Sequence, residues 1–471
     1  MGTTPLVSVR RVVAWRHAST NRRIFAAMVV VGAATLLAKV LAMAKDIAVA
    51  SYFGTSDAVD AYFISLTVPT FAINVIAGSI PAALVPAYLR VRERDGIAGA
   101  GRLLGNVLAL AGMTIGVCCL VLALLAPVLV PLVGGRFGGE KLLLTRHLYL
   151  LVLPGVFISG ISGMFAAVLN SHERFLVAAV TPAFMSIFSI AFLVVAAGHW
   201  GIYALAIGLT TGYAAELGVL AWALRARNLL AAPRWASWRD PDVQLVLGQY
   251  APLVIGGAVM SSSPLVDQAM AASLGSGSVA QLSYATKIVA AGMGIGVTAL
   301  STAIFPHFSR MVAARDWTAL RHTLRTYLRL ALVASIAVVV VIVVFSEPLV
   351  RLVFERGQFV ASDTRAVAVI QALYALQIPF YVLGIVGVQL LHALSANRVL
   401  MWVSIGNFFT NIIGNYILMR FWGVAGIAAA TSMVYAISMV VILTAVGKRL
   451  RSLERESSPP RPVYPDAGDA A

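Results

Sequence analysis

"LLAKVLAMAKDIAVASYFGTSDAVDAY", residues 36–62, is an apolar run with Lys39, Lys45, Asp46 and Asp60 set inside it. A charge at the centre of a bilayer costs about 2.5–3.5 kcal/mol on insertion scales, so such groups are kept where they pair or face a water-filled cavity. The stretch therefore predicts a membrane helix that lines something wet.

The rest of the chain fits that reading. Hydrophobic residues make up 60% and charged residues 11% of the 471, and the mean hydropathy is +0.89. Soluble domains carry roughly a quarter charged residues, so the class is an all-α, multi-pass membrane protein. Windows of about 20 apolar residues, the length that crosses a bilayer as a helix, fall near 24–50, 60–89, 103–133, 146–169, 175–197, 200–224, 246–273, 282–306, 326–345, 366–391, 399–419 and 424–447. The second carries Pro69, Pro81 and Pro86, which predicts tilt and kinks there. Cys118 and Cys119 are adjacent inside an apolar run and read as small hydrophobes, with neither a disulfide framework nor a metal site.

Basic residues set the orientation. With both termini in the cytoplasm, 25 of the 35 Lys and Arg fall in cytoplasmic segments and 7 in external ones, leaving Lys39, Lys45 and Lys287 within spans. This is the asymmetry of the positive-inside rule. The net charge of +16 is scattered over short loops and tails, which points to topology and anionic lipid and away from nucleic acid. Ala42-Met43-Ala44 loosely fits a signal-peptide cleavage site, but the preceding polar region is too long for one and a span would be lost.

The expected layout is a basic cytoplasmic N-terminus (1–23), a six-helix bundle (24–224), a cytoplasmic linker (225–245) with Trp235 and Trp238 at the interface, a second six-helix bundle (246–447) and a disordered Pro-rich tail (448–471). The halves echo each other. Asp46 and Gly54 recur as Asp267 and Gly275 at an offset of 221, and Pro86 and Arg90 recur as Pro306 and Arg310 at 220. An even number of spans per half makes this a parallel repeat about an axis along the membrane normal, as in transporters that rock two bundles about a central site.

Three stretches then carry a resemblance: "VLAMAKDIAVASYFGTSDAVDAYFISLTVP" at 40–69, "SYATKIVAAGMGIGVTALSTAIFPHFSR" at 283–310 and "LVFERGQFVASDT" at 352–364. Together they resemble the lipid II flippase family (MurJ or MviN) of the multidrug, oligosaccharidyl-lipid and polysaccharide exporter superfamily. The resemblance implies a bacterial inner-membrane flippase for polyprenyl-diphosphate-linked saccharides, a step in peptidoglycan or surface-polysaccharide biosynthesis. Its partners would be the lipid-linked glycan, membrane lipids and proteins of cell-envelope or polysaccharide synthesis. The family's basic positions fall on Lys39, Lys45 and Lys287, and its acids on Asp46 and Asp60. All three basic positions are Lys where relatives commonly carry Arg, which keeps charge but loses the bidentate fork for phosphate. The family's Pro-Asn-Leu-Leu-Arg-Arg run reads Pro69-Thr70-Phe71-Ala72-Ile73-Asn74 here, and the family's two further helices after the twelfth are not found. Both departures favour a saccharide other than lipid II.

Independently of the family, a diphosphate-linked sugar needs a wet, cationic, gated cavity. Lys39, Lys45 and Lys287 would supply its sign, while Asp46, Asp60, Glu216 and Asp267 would pair with them or bind a coupling ion. Bland readings stay open for each: snorkelling for Lys45 and Lys287, a helix end for Asp267, a paired structural acid for Glu216. Asn407, Asn411 and Asn415 recur every four residues and read first as an interhelical hydrogen-bonding stripe, second as sugar contacts. "GMGIG" at 292–296 permits close packing or a break and has no phosphate-loop pattern. No nucleotide, metal or cofactor motif and no catalytic constellation occurs, so the chain reads as a transporter driven by an ion gradient, the membrane potential or a partner. The alternative is a multidrug or cation antiporter of the same superfamily, which a basic cavity disfavours.

Overall fold

The computed structural model describes residues 6–234 and 240–457; Trp235, Trp238 and the tail beyond 457 lie outside them. No strand occurs among the described residues. In chain order the helices are α1 (Leu6–Phe53), α2 (Asp57–Ala72), α3 (Ser79–Leu124), α4 (Ala126–Gly134), α5 (Gly139–Val152), α6 (Pro154–Ser171), α7 (Phe175–Val180), α8 (Ala183–Trp200), α9 (Tyr203–Arg225), α10 (Pro241–Ala272), α11 (Ser278–Ala313), α12 (Trp317–Val344), α13 (Ser346–Phe354), α14 (Ala361–Ala375), α15 (Gln377–Ala393), α16 (Asn397–Trp422) and α17 (Val424–Ser457).

Every expected span falls on helix. Among the described residues eight helical stretches are long and apolar enough to cross a bilayer, and one of them, Asp57–Leu124, is 68 residues long. That stretch holds two spans, because Gly96 breaks α3 with φ 72° and ψ −171°. The remaining expected spans lie on α1, α11 and α16. Several spans are two helices in series, broken at Leu125, Leu153, Thr181 and Leu376. Pro127, Pro154 and Pro182 stand at or just after three of these breaks, where a missing N–H costs nothing at a new helix start. The "GMGIG" segment does not break α11.

The proline-rich second span is distorted one turn beyond Pro69. Ile73–Ala77 forms a π turn, closed by Gly78 N–H donating to Ile73 O at 2.7 Å. Such wide turns absorb a local misfit within an otherwise helical run and recur at functional sites.

The expected tail is helical as far as Ser457, a correction with a local cause. Leu450 is buried and Glu454 accepts from Arg321 of α12 at 2.6 Å, so side-chain contacts carry α17 past Lys448.

The chain divides into two compact units. One holds the described residues up to Lys287 with Glu347–Ile370 and Trp422–Ile427; the other holds Ile288–Ser346, Gln371–Phe421 and the described residues from Ala428. In the first unit the core runs along α3, α6, α9 and α10, with Leu84, Leu104, Ile115, Met164 and Leu224 sealed in it. In the second, Phe308, Leu320, Leu390 and Val446 form the centre. The repeat is visible within the first unit: α1 and α10 both run into a positive-φ glycine, Gly54 and Gly275, and α2 and α11 begin 221 residues apart.

Candidate functional site

The site lies in the first unit and is built from helix faces. On α1, Thr35, Ala38, Lys39, Ala42 and Lys45 recur at three- and four-residue steps, and Tyr62, Leu66 and Thr70 do the same on α2. Positions so spaced share one side of a helix. These two faces, with Pro182 and Ser186 at the start of α8 and Tyr213 on α9, enclose a cavity of about 580 Å³. Its two ammonium groups stand among hydroxyls and short apolar side chains, and no carboxylate is among its lining residues. A second, apolar pocket of about 50 Å³ between α3 and α10 has no charged lining.

Lys287 does not line the cavity, yet it is tied to it. Asp46, buried on α1, receives Lys45 Nζ at 3.2 Å and Lys287 Nζ of α11 at 2.9 Å, one on each carboxylate oxygen. One carboxylate thus holds two lysines while Lys39, exposed to the cavity, has no ion pair among the described residues. The group carries three positive charges against one negative.

Asp60 is placed otherwise. The sequence groups it with the cavity charges, but it is wholly buried in the first turn of α2 and faces the start of α11. Its two oxygens accept from Gly277 N–H at 2.7 Å and Ala280 N–H at 2.8 Å, and Lys141 of α5 donates to it at 2.8 Å. The carboxylate therefore caps a helix from another element, satisfying orphan amides and the positive end of the helix dipole. Lys141 also holds Asp57 at 2.5 Å and stands 4.0 Å over the Phe137 ring.

The motif at 352–364 closes on the turn between α1 and α2. Gln358 N–H donates to Ser51 O at 2.9 Å, Thr55 Oγ1 to Asp363 at 2.8 Å, and Tyr284 OH to Gly54 O at 3.2 Å. Phe354 and Phe359 pack on the Tyr284 ring at 5.0 and 5.6 Å. Gly54 must be glycine: its φ is +56°, and a Cβ would stand 2.5 Å from Gln358 O. At the opposite ends of α3's first arm and α6, Tyr88 OH meets His172 Nε2 at 3.0 Å and Arg92 donates to Ser171 O at 2.8 Å. Burial and then the Arg92 charge push the His172 imidazole below its ordinary pKa.

Of the other predicted residues, Glu216 is buried in α9 beside Thr181 and Asp267 is buried and engaged in α10. The Asn407, Asn411 and Asn415 row belongs to the second unit, where Ser438 of α17 bonds Asn407 and the other two are buried with partners of their own. Sequence reasoning missed Lys141, which reads as one more loop cation, and the cavity residues Tyr62, Thr70 and Tyr213. For Tyr62 and Thr70 the signal was present, as polar groups eight residues apart on an apolar helix.

A family profile described as "Lipid II flippase MurJ" matches residues 49–458. The profile begins just past Lys39, Lys45 and Asp46, but matches to whole relatives extend further. A probable lipid II flippase MurJ of Vibrio cholerae is 25% identical over 444 residues, covering 90% of this chain and 83% of its own. One from Rhizobium tropici is 26% identical, covering 75% and 68%. Among solved structures, a lipid II flippase MurJ in an inward closed conformation superposes with a TM-score of 0.77 at 22% identity, covering 91% of this chain and 90% of that one. A multidrug resistance MATE family transporter in an inward-facing conformation gives the same TM-score at 14% identity, covering 91% and 99%.

Proposed function

The chain belongs to the lipid II flippase MurJ family, and on that premise we propose that its cavity takes the diphosphate of a polyprenyl-linked saccharide and carries it across the bacterial cytoplasmic membrane by alternating access. One observation carries the reading: a cavity of about 580 Å³ lined by Lys39 and Lys45, with Lys287 held at its edge through Asp46. A lipid-linked sugar has a tail content in hydrocarbon and a head that is not. The protein need only shelter two or more phosphate charges and the sugar hydroxyls, which a wet pocket of ammonium and hydroxyl groups does.

The fold is shared with multidrug transporters and does not by itself choose between cargoes. The sign of the charge does, because a cationic drug would be repelled by three lysines facing one carboxylate. Within the family, the reading takes in lipid II and surface-polysaccharide units alike. Thr70 occupies the cavity wall beside the π turn where relatives carry an arginine run, so the phosphate grip here is looser and less geometric. Both termini are read as cytoplasmic from the distribution of basic residues, and an ion gradient or the membrane potential supplies the energy.

Removal of charge tests the reading. Lys39→Ala and Lys287→Ala should each cut flipping of a fluorescent polyprenyl-diphosphate sugar in proteoliposomes at least ~10-fold, the loss expected for one charge-assisted contact. Full activity in both variants would remove the cationic cavity from the mechanism.

A further inference from the structure

Glu216 lies one turn beyond Gly212 on the stripe of α9 that packs against α8. The glycines of that stripe define its direction: a Cβ at Gly208 would stand 2.8 Å from Ser189 Cα, and one at Gly212 2.5 Å from Met185 Cα. Residues four apart share a helix face, so Glu216 is aimed at the junction of α7 and α8. There the Thr181 hydroxyl lies beside its carboxyl. Thr181 and Tyr62 are each 1% exposed, and neither hydroxyl completes a hydrogen bond. Tyr213, three residues before Glu216, is within electrostatic reach of both Tyr62 and Glu216 and lines the cavity with Lys39 and Lys45.

Among the described residues no cation forms an ion pair with Glu216. The other titratable groups on the elements packed against α9 are engaged or distant. On α5, Lys141 is held by Asp57 and Asp60, His147 bonds Tyr203 at the far end of α9, and Tyr149 donates to Leu122 O; Glu140 stands in the first turn of that helix and Arg146, beside His147, is exposed. His199 stands in the last turn of α8, and α6 and α7 carry no titratable side chain.

A carboxylate taken out of water without a partner is costly, and a proton removes its charge. A diphosphate seated beside Lys39, Lys45 and Tyr213 brings negative charge toward Glu216 and makes its carboxylate costlier still. We propose that Glu216 is a proton-binding site linked to the cavity, taking a proton onto a carboxylate oxygen when a diphosphate enters and returning it to water when the diphosphate leaves. The inference rests on the cationic-cavity reading. By linkage the coupling is reciprocal: protonated Glu216 strengthens anion binding as much as bound anion favours the proton. A flippase so built moves less net charge per cycle than its cargo alone carries.

Calorimetric titration of the full chain in lipid nanodiscs with inorganic pyrophosphate, in buffers of differing ionisation enthalpy near neutral pH, tests it. Wild type should take up about one proton more per bound pyrophosphate than Glu216→Gln; Glu216→Gln should still bind, and Glu216→Asp should restore the uptake. Equal proton counts in wild type and Glu216→Gln would overturn the proposal while leaving the cavity intact. Binding unchanged in Lys39→Ala would overturn the cavity reading and the proposal with it. Should Glu216→Gln fail to fold, the infrared difference spectrum of wild type decides, since pyrophosphate must bring up the band of a protonated carboxyl and its absence would sink the idea.

Discussion

Two charged clusters are strung along α1, α2 and α11, and they are built on opposite plans. The inner one sets Lys39, Lys45 and Lys287 against Asp46 and opens onto a cavity. The outer one sets Asp57 and Asp60 against Lys141, and its surplus negative charge is met by the amides of Gly277 and Ala280. Backbone donors at a helix start are fixed in place and already paid for by folding, so a carboxylate seated on them fastens elements together. Charges left short of counter-charge beside water can accept a ligand instead. The same residue types thus serve as a fastener in one place and a receptacle in the other, and the difference lies in what completes the charge.

The sharpest way to break this comparison is to truncate one member of each. Asp60→Ala leaves Lys141 with Asp57 alone and uncaps α11, and should cost about 3–5 kcal/mol in thermal or denaturant unfolding. Lys39→Ala should lose anion binding with stability changed by less than about 1 kcal/mol, as for a partly exposed side chain without a partner. If both variants lose stability alike, the inner cluster is a fastener too. A smaller effect sharpens the outer plan: Lys141→Met keeps the Asp60 bonds to Gly277 and Ala280 and should cost only about 1–3 kcal/mol, the scale of one charged hydrogen bond. A loss as large as that of Asp60→Ala would show that the ammonium, and not the helix start, holds the clasp.

The smallest expected effect lies away from both clusters. His172 binds a proton less readily in the folded chain than in the unfolded one, because burial and Arg92 oppose its charge. Its contribution to stability is therefore present above the ordinary histidine value of about 6.5 and declines as pH falls below it. Melting curves of wild type and His172→Gln should converge as the medium is acidified from neutral. A gap that widens instead would assign the imidazole the opposite sign.

Much of this was legible in the sequence because hydrocarbon leaves few ways to place a charge. Lys39 stands some fifteen residues into an apolar run, which predicts that it faces water, and in the structure it lines the cavity. The twelve spans followed from window length alone. What the sequence concealed was the direction and partnership of charges near helix ends. Asp60 and Asp46 sit in one stretch and looked like neighbours in function, yet one meets a lysine 241 residues away and the other meets backbone amides, which carry no side-chain signature. Lys141 was hidden for the same reason, since a cation between two apolar runs is ordinary until the fold brings an acid to it. The asparagine row showed its period but not its partners, and Ser438 on α17 had no mark in the sequence to identify it.

The π turn at Ile73–Ala77 has a geometric consequence for the whole arm that follows. A π turn takes one residue more than the α-helical path, so the helical phase beyond it is advanced by about 100° relative to an unbroken α-helix. Tyr62, Leu66 and Thr70 are read in one phase and Leu84, Ala87 and Tyr88 in another. Excising a single residue from this segment would restore the regular winding and swing the later side chains off the core they now fill. The segment acts as a phase shifter, letting one continuous rod turn one face to a wet chamber and, a few turns later, a different face to a dry interior.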